Sequence, residues 1–466
     1  MKDKFFLFLE EISQHIERNI DSNKRFLIIT HIDADGLSSA TLFLHYLYYN
    51  NAETHLIYAK HLDESFIKDL YNRYPEDVFI FLDLGSGIID KIKIYSTKET
   101  YIFDHHDLVL KDRVLKNVVF QVNPRIFGID GSREISTSGI IYYFLKKANH
   151  DFQDIAFLGL IGAIGDMQEN GDFIGLNKRI LEDLVNEGLI KVKKGLKLFG
   201  LASKPLYRAL QYSAEVYIPG VTGDEEKAIE LLNTLRIPLK KRGSFTTYLD
   251  LAEEEQRKLI SEIIKIRLRH DIPDAENVLG NLYLIENGFY FKELREIAYI
   301  FNAAGRLNKP SRAIAFFLGD RKYLDDVQDI IIDYKRMIVE LLNKIYNGEV
   351  PIIEKGGIAI IDLSGHTELD TLASPIATIF ANNKYINSRI LIVTVKQNEE
   401  YYKVSVRLVG SPPGKNLSKV VRMAAEKVGG FGGGHDVAAG AVIPIDKFEE
   451  FVKYLRILAR QESILI

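Results

Sequence analysis

Phe26-Leu27-Ile28-Ile29-Thr30-His31-Ile32-Asp33-Ala34-Asp35-Gly36 is a short apolar, β-branched run that ends in an acid-bearing turn. A strand buried on both faces of a parallel sheet needs such a run. Two later stretches repeat the pattern, Val78–Leu82 before Asp83-Leu84-Gly85-Ser86 and Tyr101–Phe103 before Asp104-His105-His106. Gly36 permits a tight turn and a helix begins at Ser38, so Asp33 and Asp35 lie in a strand-to-helix turn. In an open α/β sheet, ligands collect beyond the carboxyl ends of the strands. These turns, with Gly165-Asp166 at the end of an apolar helix expected from Asp151 to about Ile164, are therefore read as one site.

Outward from these turns, further strands are expected at His55–Ala59 and Val118–Val122, alternating with polar or helical segments. This is the pattern of a parallel sheet with helices on its faces. A helix over residues 1–20 leads in, and Thr137-Ser138-Gly139 opens another that runs to about Ala148. Residues from about 190 to 290, richer in lysine, read as a mostly helical insertion with no chemistry of its own. Ala313–Leu318 reads as strand-like, and residues 325–347 as a long helix joining two domains. From Gly357 an α/β pattern returns, with strands at Ile358–Ile361, Ile390–Thr394, Lys403–Leu408 and Ala441–Ile445 and helices near Ser374–Phe380 and Leu417–Val428. The expected architecture is α/β with two α/β domains, a parallel-sheet domain over 1–324 that includes the insertion and a smaller domain over 349–466. A connecting helix spans 325–348, with a cleft between the domains.

The 466 residues exceed one ordinary core. A formal net charge of −4 excludes a basic nucleic-acid coat protein, so any phosphate must be held by a local positive strip or by metals. The chain has no cysteine, which excludes disulfides, thiolate catalysis and zinc–sulfur sites. No run of eighteen apolar residues occurs, and the N-terminus lacks the apolar core of a signal peptide. The expectation is a soluble, cytoplasmic protein without a membrane partner.

Taken singly, each turn has an ordinary explanation: turns favour Asp and Gly, and Asp83 could cap a helix. Together they offer His31, Asp33, Asp35, Asp83, His105 and Asp166 to one crevice. So many carboxylates cannot all ionise at close range without cations between them. Two divalent ions about 3.5–4 Å apart, bridged by one carboxylate, would relieve the repulsion and make a phosphoryl-transfer site. Oxygen-rich ligation with one or two imidazoles favours Mn²⁺ or Mg²⁺. Asp104 suits an outer role, accepting a ring N–H and fixing a tautomer. In the C-terminal part, Gly432-Gly433-Gly434 leaves backbone N–H groups bare for a phosphate, and His435 follows. A flexible loop is the ordinary reading of such a run.

The order of the motifs resembles the DHH phosphoesterase superfamily, whose name is spelled by Asp104-His105-His106. Its first motif matches His31-x-Asp33-x-Asp35-Gly36, its second Asp83 and its fourth Gly165-Asp166. Gly432–Gly434 with His435 resembles the signature of the accompanying DHHA1 domain, and Asn302-Ala303-Ala304-Gly305-Arg306 resembles a segment of the RecJ branch. The layout is similar to archaeal RecJ-like single-strand nucleases, the GINS-associated group. By resemblance, His31, Asp33 and Asp83 hold one ion, and Asp35, Asp83, His105 and Asp166 the other, with Asp83 bridging. The catalytic set is then Asp83, Asp104, His105 and His106, with His106 close to the substrate phosphate. Arg306, Ser405, Arg407, Gly432, Gly433, Gly434 and His435 are the implied substrate contacts. The implied activity is exonucleolytic hydrolysis of single-stranded DNA or RNA to mononucleotides, in DNA replication or repair. The alternatives are a phosphodiesterase for short oligoribonucleotides or cyclic dinucleotides, and a replication scaffold binding GINS.

Overall fold

The first helix, α1 (Lys2–Asp21), buries Phe5, Phe8, Leu9, Ile12 and Ile16 along one stripe and leads the chain into β1 (Phe26–His31). Alternation then continues through α2 (Ala34–Tyr49), β2 (Thr54–Ala59), α3 (Glu64–Arg73), β3 (Val78–Leu82), α4 (Ile89–Tyr95), β4 (Glu99–Phe103), β5 (Val114–Leu115) and β6 (Val119–Val122). In this computed structural model, residues 2–465 are described except 170, 202, 214, 215, 217, 271, 273, 274, 287, 288, 382–385, 411–415 and 435. The strands form one sheet in the order β2-β1-β3-β4-β6-β5, parallel throughout except at the β5–β6 edge. The order reverses between β1 and β3, which makes their carboxyl ends the switch point where a crevice opens.

Both faces of this sheet are covered, which explains why its strands read as continuous apolar runs. On one face Leu27, Ile29, Phe79, Phe81 and Ile102 pack with Ile67 and Leu70 of α3 and Ile89 and Ile92 of α4. On the other, Phe43 of α2 meets Phe103 and stacks at 5.4 Å on Phe144 of α5 (Thr137–Lys147). The expected helix from Asp151 to Ile164 is instead a 3-10 turn, Ala156–Leu160, followed by the short α6 (Ile161–Gly165). Gly159 and Gly162 fall inside this stretch, and glycine weakens a continuous helix.

After α7 (Gly175–Asn186), β7 (Ile190–Leu196) pairs antiparallel with the distant β10 (Leu279–Ile285). Between them stand α8 (Leu206–Gln211), α9 (Glu225–Thr234), the hairpin of β8 (Lys240–Lys241) and β9 (Ser244–Phe245), and α10 (Glu253–Arg269). The insertion is predominantly helical between its ends, through α8, α9 and α10, but it opens and closes on strands. Then come α11 (Leu294–Arg306), α12 (Pro310–Phe317) and α13 (Leu324–Tyr346). Ala313–Leu318 falls on α12 and its cap, not on a strand, because Pro310 starts a helix whose Ala313, Ile314, Phe316 and Phe317 are buried at helical spacing.

The C-terminal sheet runs β11 (Ile352–Lys355), β12 (Ile358–Asp362), β13 (Ile390–Lys396), β14 (Tyr401–Leu408), β16 (Ala438–Pro444) and β15 (Phe431–Gly434). Only the β12–β13 pair is parallel. Helix α14 (Ala373–Ala381) precedes β13, while α15 (Leu417–Glu426) and α16 (Phe448–Gln461) cover a core that contains Val404, Val406, Val420, Val421, Phe451 and Leu455. The glycine run is an edge strand, not a loop. By packing, the chain divides into one unit of Met1–Ala209, Pro238–Ile260 and Asn277–Ile331, and a second of Leu210–Ile237, Ser261–Glu276 and Ile332–Ile466.

Candidate metal centre

All the acids and histidines of the four motifs lie in the first unit, at the carboxyl ends of β1, β3 and β4 and at the cap of α6. His31 ends β1, Asp33 caps α2 by accepting from Gly36 N at 3.0 Å, and Asp35 lies in the first turn of that helix. Asp83 directly follows β3 with φ of +62°, a left-handed backbone rare for a non-glycine residue. Strain of this kind persists where surrounding structure imposes it and clusters at functional sites.

Asp83 is 2% exposed and divides its carboxylate between two imidazoles. Its Oδ2 is 3.3 Å from His31 Nδ1, which also lies 2.9 Å from Asp33 Oδ2. Its Oδ1 is 3.4 Å from His105 Nε2, which faces Asp166 Oδ2 at 3.2 Å and Asp35 Oδ2 at 3.5 Å. Two groups of potential ligands result, His31 with Asp33 and Asp83, and Asp35 with His105 and Asp166; a third comprises Asp83, His105 and His106. His31 Nδ1 and His105 Nε2 are both buried and have no hydrogen-bond partner, although each is surrounded by carboxylate oxygens. Buried polar atoms are normally satisfied, so this geometry fits a missing electrophile between nitrogen and oxygen. The donor set of hard oxygens and imidazoles suits a divalent cation.

Outer contacts fix most of these side chains. Gly131 O accepts from His105 Nδ1 at 2.6 Å, which directs Nε2 inward, and Gln168 Nε2 donates to the same carbonyl at 3.0 Å. Asp35 receives Thr137 N and Ser138 N on its two oxygens, each at 2.7 Å, at the start of α5 where the helix dipole favours an anion. Thr137 Oγ1 donates to Asp83 Oδ1 at 3.1 Å. A methyl group at Gly162 would collide with the Asp35 carboxylate, and one at Gly305 with the carbonyl of Ile32. Asn302 Oδ1 accepts from Ala34 N at 3.0 Å, so the Asn302–Arg306 segment braces the first motif from α11. Sequence alone does not single out Thr137, Ser138 and Gln168 as site residues; the polar Thr137-Ser138-Gly139 start of a helix reads only as a helix boundary.

Asp104 serves His106. Its Oδ1 accepts from His106 Nδ1 at 2.7 Å and from His106 N at 3.1 Å, while Oδ2 accepts from Ser86 N at 2.8 Å. Burial opposes the charged ring of His106, but the Asp104 carboxylate outweighs it and pushes the pKa up to about 9. Burial likewise opposes charge on His31 and His105, and the facing carboxylates overcome it, holding both imidazoles well above their ordinary value. Burial raises Asp35 well above the carboxylate range, helped by Asp83 and Asp166. At Asp83 burial is outweighed by His105 and His31, which hold it well below that range.

Of the remaining predicted contacts that are described, one lies on α11 and the others on β14 and β15. Arg306 is the half-buried last residue of α11. Ser405 and Arg407 share a face of β14; Ser405 is buried, and Arg407 donates to Ser374 Oγ at 2.8 Å and Thr378 Oγ1 at 3.1 Å on α14. Gly432, Gly433 and Gly434 lie on β15, and His435 lies outside the described residues.

Residues 25–163 match the DHH family N-terminal domain, 198–278 the DHH-CID domain and 361–461 the DHHA1 domain. The uncharacterised protein MJ0831 of Methanocaldococcus jannaschii is 32% identical over 461 residues, covering 96% of each chain. Among solved structures the fold is similar to CDC45 from Entamoeba histolytica, with 14% identity, a TM-score of 0.67, and coverage of 97% of this chain and 99% of that one. It is also similar to RecJ from Thermus thermophilus in complex with Mn²⁺, with 15% identity, a TM-score of 0.56, and coverage of 97% of this chain and 55% of that one. Among the described residues no helix is long and apolar enough to cross a membrane. With its motifs in order and a relative matched along nearly its whole length, the chain belongs to the DHH/DHHA1 phosphoesterase superfamily, and its fold is similar to that of RecJ.

Proposed function

We propose that this chain is a metal-dependent exonuclease that hydrolyses terminal phosphodiesters of single-stranded DNA or RNA, in replication or repair, using two divalent cations, Mn²⁺ or Mg²⁺. The observation that carries the reading is the divided Asp83 carboxylate, one oxygen toward His31 and the other toward His105, beside two buried imidazole nitrogens without partners. In this reading His31, Asp33 and Asp83 hold one cation, and Asp35, Asp83, His105 and Asp166 hold the second. Bound cations supply Lewis acidity toward the phosphoryl oxygens and a water nucleophile at neutral pH.

The chain's own groups do the rest. Thr137, Ser138 and Gly131 hold Asp83, Asp35 and His105 in place, so little reorganisation is left for the reaction itself. His106 has its Nδ1 committed to Asp104, so Nε2 is the nitrogen that donates to a phosphate oxygen; the ring is 41% exposed, and the Asp104 carboxylate favours its charged form. Arg306 is proposed as a phosphate contact, its planar guanidinium suited to bidentate binding. In the second unit, Ser405, Arg407, Gly432–Gly434 and His435 are proposed to contact the nucleic-acid backbone.

The test is time-resolved digestion of single-stranded DNA and RNA labelled at either end, with Mn²⁺ and Mg²⁺ in turn and a dinucleotide alongside. Release of mononucleotides from a long strand, abolished by Asp83→Ala, is the expected result. Faster turnover of the dinucleotide favours the short-substrate phosphodiesterase. A stable complex with replication proteins such as GINS, without metal-dependent hydrolysis, favours the scaffold and overturns the nuclease.

A further inference from the structure

Two stretches without any acidic residue meet in the first unit. Residues 188–209 and 238–249 carry nine lysines and arginines and no aspartate or glutamate, in a chain of net charge −4. The fold joins them: Leu206 N donates to Thr246 O at 2.8 Å, Tyr248 N to Leu201 O at 3.0 Å, and Leu196 N to Tyr248 Oη at 3.1 Å. A local positive strip of this kind is what a net-acidic chain needs in order to hold a polyanion.

Cations and rings interleave there. The β8–β9 hairpin turns through Arg242 and Gly243, both in the left-handed region, and ends on Phe245, which is 46% exposed. Lys240 Nζ lies 4.7 Å from the centre of the Phe245 ring, and Arg208 Cζ lies 5.4 Å from that of Tyr207. The two rings are 5.9 Å apart and inclined at 57°. Lys241 pairs with Glu255 at 2.7 Å. On β7, to which this segment is hydrogen-bonded, Lys191, Lys193 and Lys194 are exposed.

A large aromatic ring at a hairpin end, left nearly half in water and flanked by cations, contributes little to the core. Single-stranded nucleic acid matches the arrangement on both counts, because unpaired bases stack on exposed rings while phosphates meet Lys and Arg. An acidic protein surface would satisfy the cations and leave the rings without planar partners. We propose that the Lys240–Phe245 hairpin, with Tyr207 and Arg208, is a binding surface for single-stranded nucleic acid. Bases stack on Phe245 and Tyr207, and phosphates contact Lys240, Arg242 and Arg208. The inference deepens the nuclease reading and rests on it for the identity of the strand, but binding at this surface needs neither metal nor catalysis.

The experiment is fluorescence anisotropy with the full-length chain in EDTA, using labelled single-stranded DNA and RNA of about twenty nucleotides and a duplex of the same sequence. Phe245→Ala weakens single-strand binding about tenfold. Phe245→Tyr, which keeps a ring, binds as the parent does. Lys240→Glu with Arg242→Glu lowers the slope of log affinity against log salt by roughly 1.4. Lys111→Glu, an exposed lysine outside both stretches, changes affinity less than twofold. Hairpin variants with the parental melting temperature and unchanged single-strand affinity overturn the proposal. So does a loss equal for duplex and single strand with no effect of Phe245→Ala, which would mean general polyanion attraction. Hairpin-dependent binding without Mn²⁺-dependent hydrolysis sinks the nuclease reading alone; hydrolysis with hairpin-independent binding sinks this inference alone.

Discussion

Asp83 and Asp362 sit in nearly the same local sequence in the two sheets, Leu82-Asp83-Leu84-Gly85-Ser86 after β3 and Ile361-Asp362-Leu363-Ser364-Gly365 at the end of β12. Their surroundings differ completely. Asp362 is exposed and closes an ordinary turn, accepting from Ser364 N at 3.0 Å and Thr394 Oγ1 at 2.9 Å. Asp83 is buried among two imidazoles and a threonine hydroxyl. Topology accounts for the difference: β1, β3 and β4 are adjacent and parallel, so three carboxyl-terminal turns reach one edge. In the second sheet β12 has one parallel neighbour, β13, and one antiparallel neighbour, β11, and β14 is antiparallel to β13, so amino- and carboxyl-terminal strand ends mix along each edge. A strand-end acid becomes a site through its neighbours.

The largest test of this contrast is Asp83→Ala. It removes oxygen ligands facing both imidazoles at once, and Mn²⁺-dependent hydrolysis of single strands should fall by on the order of 10³ or more. Retention of more than a tenth of the parental rate would show that Asp83 does not connect the two groups. Next in size is Thr137→Val, which removes the hydroxyl that orients Asp83 Oδ1. Loss of such outer contacts typically costs about 10–100-fold in metal affinity. The Mn²⁺ concentration for half-maximal activity should rise by that factor while the melting temperature stays nearly constant, and Thr137→Ser should restore it. An unchanged Mn²⁺ requirement would reduce Thr137 to a helix-start residue.

A third test uses pH. The carboxylates hold His31 and His105 well above their ordinary pKa, which favours the protonated imidazoles over the neutral ones that a cation needs. Cations must displace these protons. Affinity for Mn²⁺ should therefore fall as pH drops and rise as pH climbs toward the raised pKa values, by about tenfold per unit for each proton released. Calorimetry in buffers of different ionisation enthalpy counts those protons, and a flat affinity between pH 6 and 8 would contradict the assignment of these imidazoles as ligands.

What the sequence could say follows the same division. Three of the four motif turns announced themselves by a buried strand before them, so the sheet of the first unit and most of the cluster were legible locally. The holding groups were not: Thr137 and Ser138 reach Asp35 across about a hundred residues, and nothing in a helix-opening Thr-Ser-Gly says which carboxylate it will receive. Ala313–Leu318 misled because an apolar run of six fits a strand or a buried helix equally well, and Pro310 decided for the helix. The insertion reads as empty of chemistry because its acid-free halves, 188–209 and 238–249, are separated in sequence and meet only in the fold.

The smallest expected effect completes the comparison. Asp362→Ala removes an acceptor shared by Ser364 N, at the exposed turn, and by the buried Thr394 hydroxyl on β13. Stability should fall by about 1–3 kcal/mol, because the buried Thr394 hydroxyl loses this acceptor. Mn²⁺-dependent activity should stay within twofold of the parent, with no change in the Mn²⁺ requirement. Denaturant melts and the same digestion assay decide the matter together. If Asp362→Ala reduced activity as Asp83→Ala does, parallel neighbours would not be what turns a strand-end aspartate into a site, and the topological explanation would fail even with the metal cluster intact.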